Sequence, residues 1–293
     1  MRIRTRRLVF AALAVLVILF AAVYQWRIGF PERRLPLLAE GTVEIHVIDV
    51  DQADCTLIRT SAGYVLIDAG EAETGADVVK YLRAAGVETI SYAVFTHPDS
   101  DHIGGAAAVL EAFAVEWVIL PSIHERDVPD TDVYRGFCDA LAAQSASVIS
   151  AVAEQTYSLG EVTFTILAPN SPDYDTINDY SVALRVDFGE TSFLFTGDAE
   201  ARSEAEMLAL HGAELLDCTF FHAGHHGAAT SNTDAFLAAV SPEIVAVSCG
   251  ENAFGHPSGE ALVSYAKVGA TVYRTDEEGT MIFVSDGTRI IKK

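Results

Sequence analysis

The run Thr96-His-Pro-Asp-Ser-Asp-His-Ile-Gly-Gly105 places four potential metal ligands, His97, Asp99, Asp101 and His102, within six consecutive positions. It follows Ile90 to Thr96, an apolar stretch that reads as a buried β-strand, so the ligands stand where a strand delivers its chain into a loop. Loops held on a rigid sheet are where sites are usually built. Imidazole nitrogen and carboxylate oxygen both bind ions such as Zn²⁺ or Mn²⁺. His97 and Asp99 can point the same way while Asp101 and His102 supply a second cluster, which predicts two metals side by side. A turn before a helix would use Asp99, Ser100 and Asp101 but has no need of two flanking histidines. The Gly104-Gly105 pair suits either a positive φ or a close approach of backbone.

Outward from this stretch the pattern alternates strand and helix. Strands are expected at Thr42 to Ile48, Asp54 to Arg59 and Tyr64 to Asp68, then a helix over Thr74 to Ala85 closed by Gly86. Beyond the ligand loop come a helix at Gly105 to Phe113, a strand at Trp117 to Leu120 and a helix at Val133 to Ala143. Strands follow at Val162 to Ala168, Val182 to Phe188 and Ser192 to Thr196, and a helix at Glu200 to Leu210. Short strands at Cys218 to Phe221 and Ile244 to Ser248, a helix at Gly259 to Val268 and strands near Val272 to Arg274 and Met281 to Val284 complete the chain. This order is that of a layered α/β protein.

Carboxylates and histidines recur where these strands stop. Asp68 ends Leu66-Ile-Asp-Ala-Gly70, and a carboxylate after buried Leu66 and Ile67 needs partners; holding a metal-bound histidine from behind would provide them. Asp198 ends Thr196-Gly-Asp198 and is the candidate to bridge two metals. His222-Ala-Gly-His-His-Gly227 adds three histidines, and His256 lies in a Gly-His-Pro loop. Asp49-Val-Asp-Gln-Ala-Asp54 is a carboxylate-rich turn that serves either turn chemistry or the site. His124 reads as a solvated loop residue, and His46 and His211 as structural or surface residues.

With half of its 293 residues hydrophobic, the chain can bury a full core. Residues 1–7 carry four arginines and Leu8 to Tyr24 is uninterrupted apolar sequence, so residues 1–29 are expected to be a signal anchor with one transmembrane helix. The basic flank places the remainder outside the cell membrane. A cleaved signal peptide at Ala21-Ala-Val23 is the alternative. Residues 30–41, with Pro31 and Pro36, read as a linker, and 42–293 as one domain. Seven of the 19 lysines and arginines precede residue 35, against one of the 41 acidic residues, leaving 12 cationic and 40 anionic side chains, a formal charge of −28. That field opposes tight binding of nucleic acid. Cys55, Cys138, Cys218 and Cys249 show no C-x-x-C spacing; Cys55, Cys218 and Cys249 lie in or beside apolar runs as small buried hydrophobes.

Taken together and in order, Ile48-Asp-Val-Asp-Gln-Ala-Asp54, L-I-D-A-G, T-H-P-D-S-D-H-I-G-G, the N-x-x-S of Asn178 to Ser181, T-G-D, H-H-G at 225–227 and G-H-P at 255–257 resemble the metallo-β-lactamase superfamily. Within it they are similar to the hydrolase domain of ComEC-type DNA-uptake proteins. The resemblance implies a four-layer αββα sandwich with two divalent metal ions, Zn²⁺ or Mn²⁺, at one edge of the sheets. It implies metal ligands His97, Asp99, Asp101, His102, Asp198 and one of His225 and His226, with the preference on His226. Asp101, His225 and His256 are the expected catalytic groups, and Asp68 the support. Aspartate at 99 stands where the superfamily has a second histidine, which weakens β-lactam hydrolysis as the activity. Asp51 and Ala53 replace glycines of the D-V-G-Q-G-D pattern. The family's multi-helix channel is expected to be missing from this chain. The expected activity is metal-dependent hydrolysis of a phosphodiester, with a nucleic acid strand as one substrate. Alternatives are another ester (a phosphocholine-type envelope ester, a lactone or a β-lactam) or a metal-stabilised binding module without turnover. No protein partner is implied.

Overall fold

The computed structural model describes residues 34–293. Its first half builds one sheet. Strands β1 (Val43–Val47), β2 (Thr56–Arg59) and β3 (Tyr64–Ile67) are antiparallel neighbours, and β3, β4 (Thr89–Val94), β5 (Ala114–Leu120) and β6 (Ser147–Ser150) then pair in parallel. The second half builds the other sheet. Strands β7 (Thr156–Leu159), β8 (Val162–Ala168), β9 (Ala183–Phe188) and β10 (Thr191–Phe195) are antiparallel, while β10, β11 (Phe220–His222), β12 (Ile244–Val247) and β13 (Thr271–Arg274) run parallel. The chain finally returns to the first sheet, where β14 (Met281–Ser285) adds to β1 and β15 (Ile290–Lys292) to β14.

Side-chain alternation explains the layers. In β1, Val43, Ile45 and Val47 point between the sheets, where they meet Phe164, Leu184, Phe193 and Phe220 of the second sheet. The opposite face of the first sheet offers Leu57, Leu66 and Ala93 to three helices, α1 (Gly75–Ala84), α3 (Ala106–Ala112) and α4 (Asp132–Ala143), with the short α2 (Ser100–Ile103) between α1 and α3. Val78 and Leu82 lie one turn apart on α1 and fill that layer. On the far side, Leu194, Phe221 and Val245 of the second sheet receive α5 (Ala201–Leu216), α6 (Asp234–Val240) and α7 (Gly259–Lys267) through Met207, Phe236 and Tyr265. A last turn, α8 (Thr275–Glu278), precedes β14. The layers are therefore helix, sheet, sheet, helix, as the resemblance implied.

The parallel strands decide where chemistry can occur. β3 and β4 of one sheet and β10, β11 and β12 of the other end in the loops that carry the candidate site residues, and loops beyond the carboxyl ends of parallel strands are the usual seat of α/β sites. The expected transmembrane segment, residues 1–29, and the first residues of the expected linker lie outside the described residues. Among the described residues no helix is long and apolar enough to cross a membrane. Residues 34–41 are irregular and tied to the domain: the Leu35 amide donates to the Ala84 carbonyl at 2.7 Å and Arg59 donates to the Pro36 carbonyl at 3.2 Å.

Candidate metal centre

His97 leaves the end of β4 and is fully buried, and Asp99 opens α2, which carries Asp101 and His102. The Gly104-Gly105 pair takes ordinary negative φ, so close approach is its reason: a Cβ on Gly105 would stand 2.1 Å from the Ala69 carbonyl oxygen, and one on Gly104 2.4 Å from the Ala72 nitrogen. Those contacts press the ligand turn against the loop after β3. The Ala69 amide donates to the His102 carbonyl at 2.8 Å, and the Gly105 amide to the Gly70 carbonyl at 2.9 Å.

Asp68, in that loop, is buried with φ of 57°. Its carboxylate accepts from the Thr96 amide at 2.8 Å, from Thr96 Oγ1 at 2.7 Å and from His102 Nδ1 at 2.8 Å. Because Nδ1 is committed to Asp68, the lone pair of His102 is left on Nε2. Thr96 Oγ1, having donated to Asp68, accepts from His97 Nδ1 at 3.2 Å, which frees His97 Nε2 in the same way. Ser181 lies 3.3 Å from the same His97 Nδ1 and accepts from the Asp198 amide at 3.0 Å. The serine of N-x-x-S thus joins two ligand-bearing loops.

Asp198 stands at the centre. Its Oδ1 lies 3.2 Å from His102 Nε2 and 4.0 Å from His226 Nε2, and its Oδ2 lies 3.9 Å from His97 Nε2 and 3.4 Å from His225 Nε2. Asp101 Oδ2 is 3.2 Å from His226 Nε2 and 3.9 Å from His102 Nε2, while Asp99 Oδ2 is 3.7 Å from His97 Nε2. Two ligands on one tetrahedral ion with bonds of about 2.1 Å stand roughly 3.4 Å apart, so these spacings suit cation binding. His97 Nε2, His102 Nε2 and Asp198 Oδ1 are buried and have no hydrogen-bond partner. Buried polar atoms are ordinarily satisfied, and these three, with His102 Nε2 against Oδ1 and His97 Nε2 on the Oδ2 side of Asp198, have the donor chemistry that fits divalent cations. Asp101, His102, Asp198 and His226 have ligand atoms all within 4.8 Å of one another. Asp54, Asp68 and His102 also cluster, but His102 Nδ1 already donates to Asp68, so Asp68 is read as its support.

The field follows from the crowding. Burial alone would push the His102 and His226 imidazoles down, but the carboxylates outweigh it: Asp198 and Asp68 with Asp101 for His102, and Asp54 and Asp198 with Asp101 for His226, hold both well above the ordinary histidine value. Burial likewise opposes ionisation of Asp198, yet His102, His226 and His97 hold its carboxyl well below the usual range. Ten lysine and arginine side chains pair with carboxylates elsewhere, and among the described residues none makes an ion pair or hydrogen bond with these site groups. A positive charge brought to this acidic centre would therefore be an ion.

His225 and His226 both have left-handed backbones, φ 51° and 52°, costly for non-glycine residues and typical of functional turns. The turn sends the two rings to different oxygens of Asp198. His225 Nδ1 lies 3.3 Å from Thr230 Oγ1 and 3.5 Å from Glu200 Oε1. His256 stands outside the carboxylate group, its ring 5.3 Å from that of His225 and 5.8 Å from that of the exposed Phe254. Burial, then His225 and His226, push its pKa down. Asn252 fixes this loop, accepting from the Gly255 and His256 amides.

The carboxylate-rich turn divides: Asp49 and Asp51 are exposed and only Asp54 is buried beside the site. Asp51 keeps φ of 59° where the pattern has glycine, so the replacement preserves the turn. His222, the first of the three histidines, meets Ser248 Oγ at 2.9 Å through Nε2 and lies 3.8 Å from Asp54 through Nδ1. His124 accepts from the Arg126 amide, and His46 is buried between Glu44 and Tyr81. His211 meets the Leu167 carbonyl. The four cysteines are free, with Cys55, Cys218 and Cys249 buried.

Comparison with known proteins agrees with this geometry. Competence protein ComA of Neisseria gonorrhoeae is 32% identical over 260 residues, covering 87% of this chain and 34% of that protein. ComE operon protein 3 of Bacillus subtilis is 25% identical over 264 residues, covering 84% and 33%. The chain thus spans about a third of the length of these curated relatives. The metallo-beta-lactamase fold protein YhfI from Bacillus subtilis superposes with a TM-score of 0.55 at 13% identity, covering 83% of this chain and 99% of that one. The family model described as metallo-beta-lactamase superfamily matches residues 48–251, a span that holds Asp68, His97, Asp99, Asp101, His102, Asp198, His225 and His226, and the chain belongs to that superfamily.

Proposed function

We propose that the chain is a dinuclear metal-dependent hydrolase of phosphodiesters. The observation that carries this reading is the division of Asp198, one oxygen facing His102 and His226 and the other His97 and His225. In this reading His97 and Asp99 would hold one divalent ion and Asp101, His102 and His226 the other, with Asp198 available to both. Three imidazoles and three carboxylates suit Zn²⁺ or Mn²⁺. Ions bound there would supply an activated water and positive charge to balance what develops on the phosphoryl oxygens. The remaining work falls to the chain's own groups. Asp68 and Thr96 fix the imidazole tautomers, the tight glycine contacts hold the loops, and His225 and His256 face the substrate as hydrogen-bond partners for the leaving oxygen.

The competence-protein name of one relative makes a nucleic acid strand a candidate substrate. The absence of a lysine or arginine contact at the described site, with the formal charge of −22, favours a short or single-stranded segment over a long duplex. Residues 1–29 would anchor the hydrolase to the outer side of the cell membrane. The test is product release from bis-p-nitrophenyl phosphate and from a single-stranded oligonucleotide, using the full chain with Mn²⁺ or Zn²⁺. Cleavage of both, lost in Asp101→Ala, is the expected result. Cleavage of the small ester alone would move the substrate to another ester of the cell envelope, and cleavage of neither would overturn the reading.

A further inference from the structure

The two histidines nearest Asp198 Oδ1 are His102 and His226, and each has a buried carboxylate behind it. Asp68 takes the Nδ1 proton of His102. Behind His226 stands Asp54, with Oδ1 3.4 Å from His226 Nδ1 and Oδ2 3.8 Å from His222 Nδ1. Asp54 is only 4% exposed, no lysine or arginine pairs with it among the described residues, and its Oδ1 has no hydrogen-bond partner. Its backbone is fixed on both sides: its amide donates to the Asp101 carbonyl at 3.0 Å and its carbonyl accepts from the Gly70 amide at 2.8 Å. The loop between β1 and β2 therefore brings a carboxylate from the first sheet to the back of a ligand carried by the second.

A buried carboxylate left uncompensated costs several kcal/mol, so its surroundings must donate to it. His222 is fixed at Nε2 by Ser248 Oγ and stands farther off. His226 Nδ1 meets the Ser248 carbonyl at 3.1 Å, and Asp54 Oδ1 stands 3.4 Å from the same nitrogen. Both demand the same tautomer, with the proton on Nδ1 and the lone pair on Nε2. We infer that Asp54 is a positioning residue for His226: across the two sheets its negative charge, beside the Ser248 carbonyl, keeps the proton on Nδ1 and leaves Nε2 free to face Asp198 Oδ1, the part Asp68 plays for His102. This rests on the reading of the cluster as a metal centre.

The experiment is zinc titration of the full chain against a competing chromophoric chelator, for wild type, Asp54→Asn, His226→Ala and the double variant. Outer partners of a ligating histidine are worth about 10–100-fold in affinity, so Asp54→Asn is expected to weaken one of two binding steps by that factor and leave the other within about twofold. In the His226→Ala background the same change is expected to add nothing, because the effect travels through that ring. A role confined to folding would weaken both steps together and lower the stability of the metal-free protein. Two unchanged steps in Asp54→Asn would overturn the inference and leave the metal centre standing; wild type that binds no zinc would overturn both. Long-range ¹⁵N spectra of zinc-loaded wild type provide a second measurement that does not depend on a variant folding: a proton on Nδ1 of His226 with Nε2 unprotonated is expected, and a proton on Nε2 sinks the inference.

Discussion

Asp68→Asn is a nearly isosteric change whose consequence can be worked from three contacts. The carboxylate accepts from the Thr96 amide on Oδ1, and from Thr96 Oγ1 and His102 Nδ1 on Oδ2. An amide side chain has one acceptor and one donor end. If its oxygen sits at the Oδ2 position, its NH₂ faces the Thr96 N–H, and one buried donor loses its partner at about 1–3 kcal/mol. If it sits at the Oδ1 position, the NH₂ faces His102 Nδ1; the ring then moves its proton to Nε2, the atom a cation needs, and affinity falls about 10–100-fold. One of the two losses is unavoidable. Taking about 2 kcal/mol for the first, the melting midpoint of a domain of this size drops by roughly 4–8 °C. The assay pairs urea unfolding of metal-free protein with zinc titration against a chelator. An Asn variant with wild-type stability and two wild-type zinc affinities would refute the tautomer argument and with it the role given to Asp68.

Gly105→Ala should destabilise the protein by about 1–3 kcal/mol or more, since the new Cβ meets the Ala69 carbonyl at 2.1 Å and backbone cannot step aside; urea midpoints check this. Saturating zinc, at about 100 times the dissociation constant of each of two sites, should add about 5 kcal/mol of stability and roughly 10–20 °C to the melting midpoint, reversed by chelator. Glu44 gives a pH dependence far from the metal site. Burial raises its pKa, but the hydrogen bonds from His46 and Lys293 and the charge of Arg59 prevail and hold it at about 2, below its ordinary 4.5. The stabilisation it provides is therefore fully present above about pH 4.5 and fades as pH falls toward 2, about 3 kcal/mol in all and about 2 of it by pH 3. The stability gap between wild type and Glu44→Gln should close over that range in urea titrations, and a gap constant from pH 6 to pH 3 would contradict it.

Much of the architecture was legible because strands buried on both faces read as apolar runs, and several of them, β3, β4, β10 and β11 among them, ended in a carboxylate or histidine. His97, Asp68 and Asp198 could be found from a strand's end plus a residue that makes no sense without a partner. The edges were not legible. β6 and β7 are four-residue polar stretches, Ser-Val-Ile-Ser and Thr-Tyr-Ser-Leu, whose strand character comes from a neighbour they pair with rather than from their own pattern. α6 is only seven residues and its start rests on a Thr233 cap. Within the site, sequence could not separate His225 from His226, because the left-handed pair that sends their rings apart is a property of the folded turn. Asp54 was hidden among Asp49 and Asp51, and only burial sets it apart. His222 looked equivalent to its neighbours until β11 turned it toward Ser248. His46 belongs to a buried polar cluster with Glu44, two residues before it on β1, and Arg59, which lies near only because β1 and β2 pair.

The most direct test of the account is the number of divalent ions bound per chain, measured by elemental analysis and calorimetric titration of wild type and Asp198→Ala. Two ions in wild type, and no more than one in Asp198→Ala with an unchanged circular dichroism spectrum, are the expected result, together with loss of ester hydrolysis in the variant. Wild type that binds no ion at millimolar Mn²⁺ or Zn²⁺, or an Asp198→Ala protein that holds two ions with full activity, would contradict the claim that Asp198 joins a dinuclear centre.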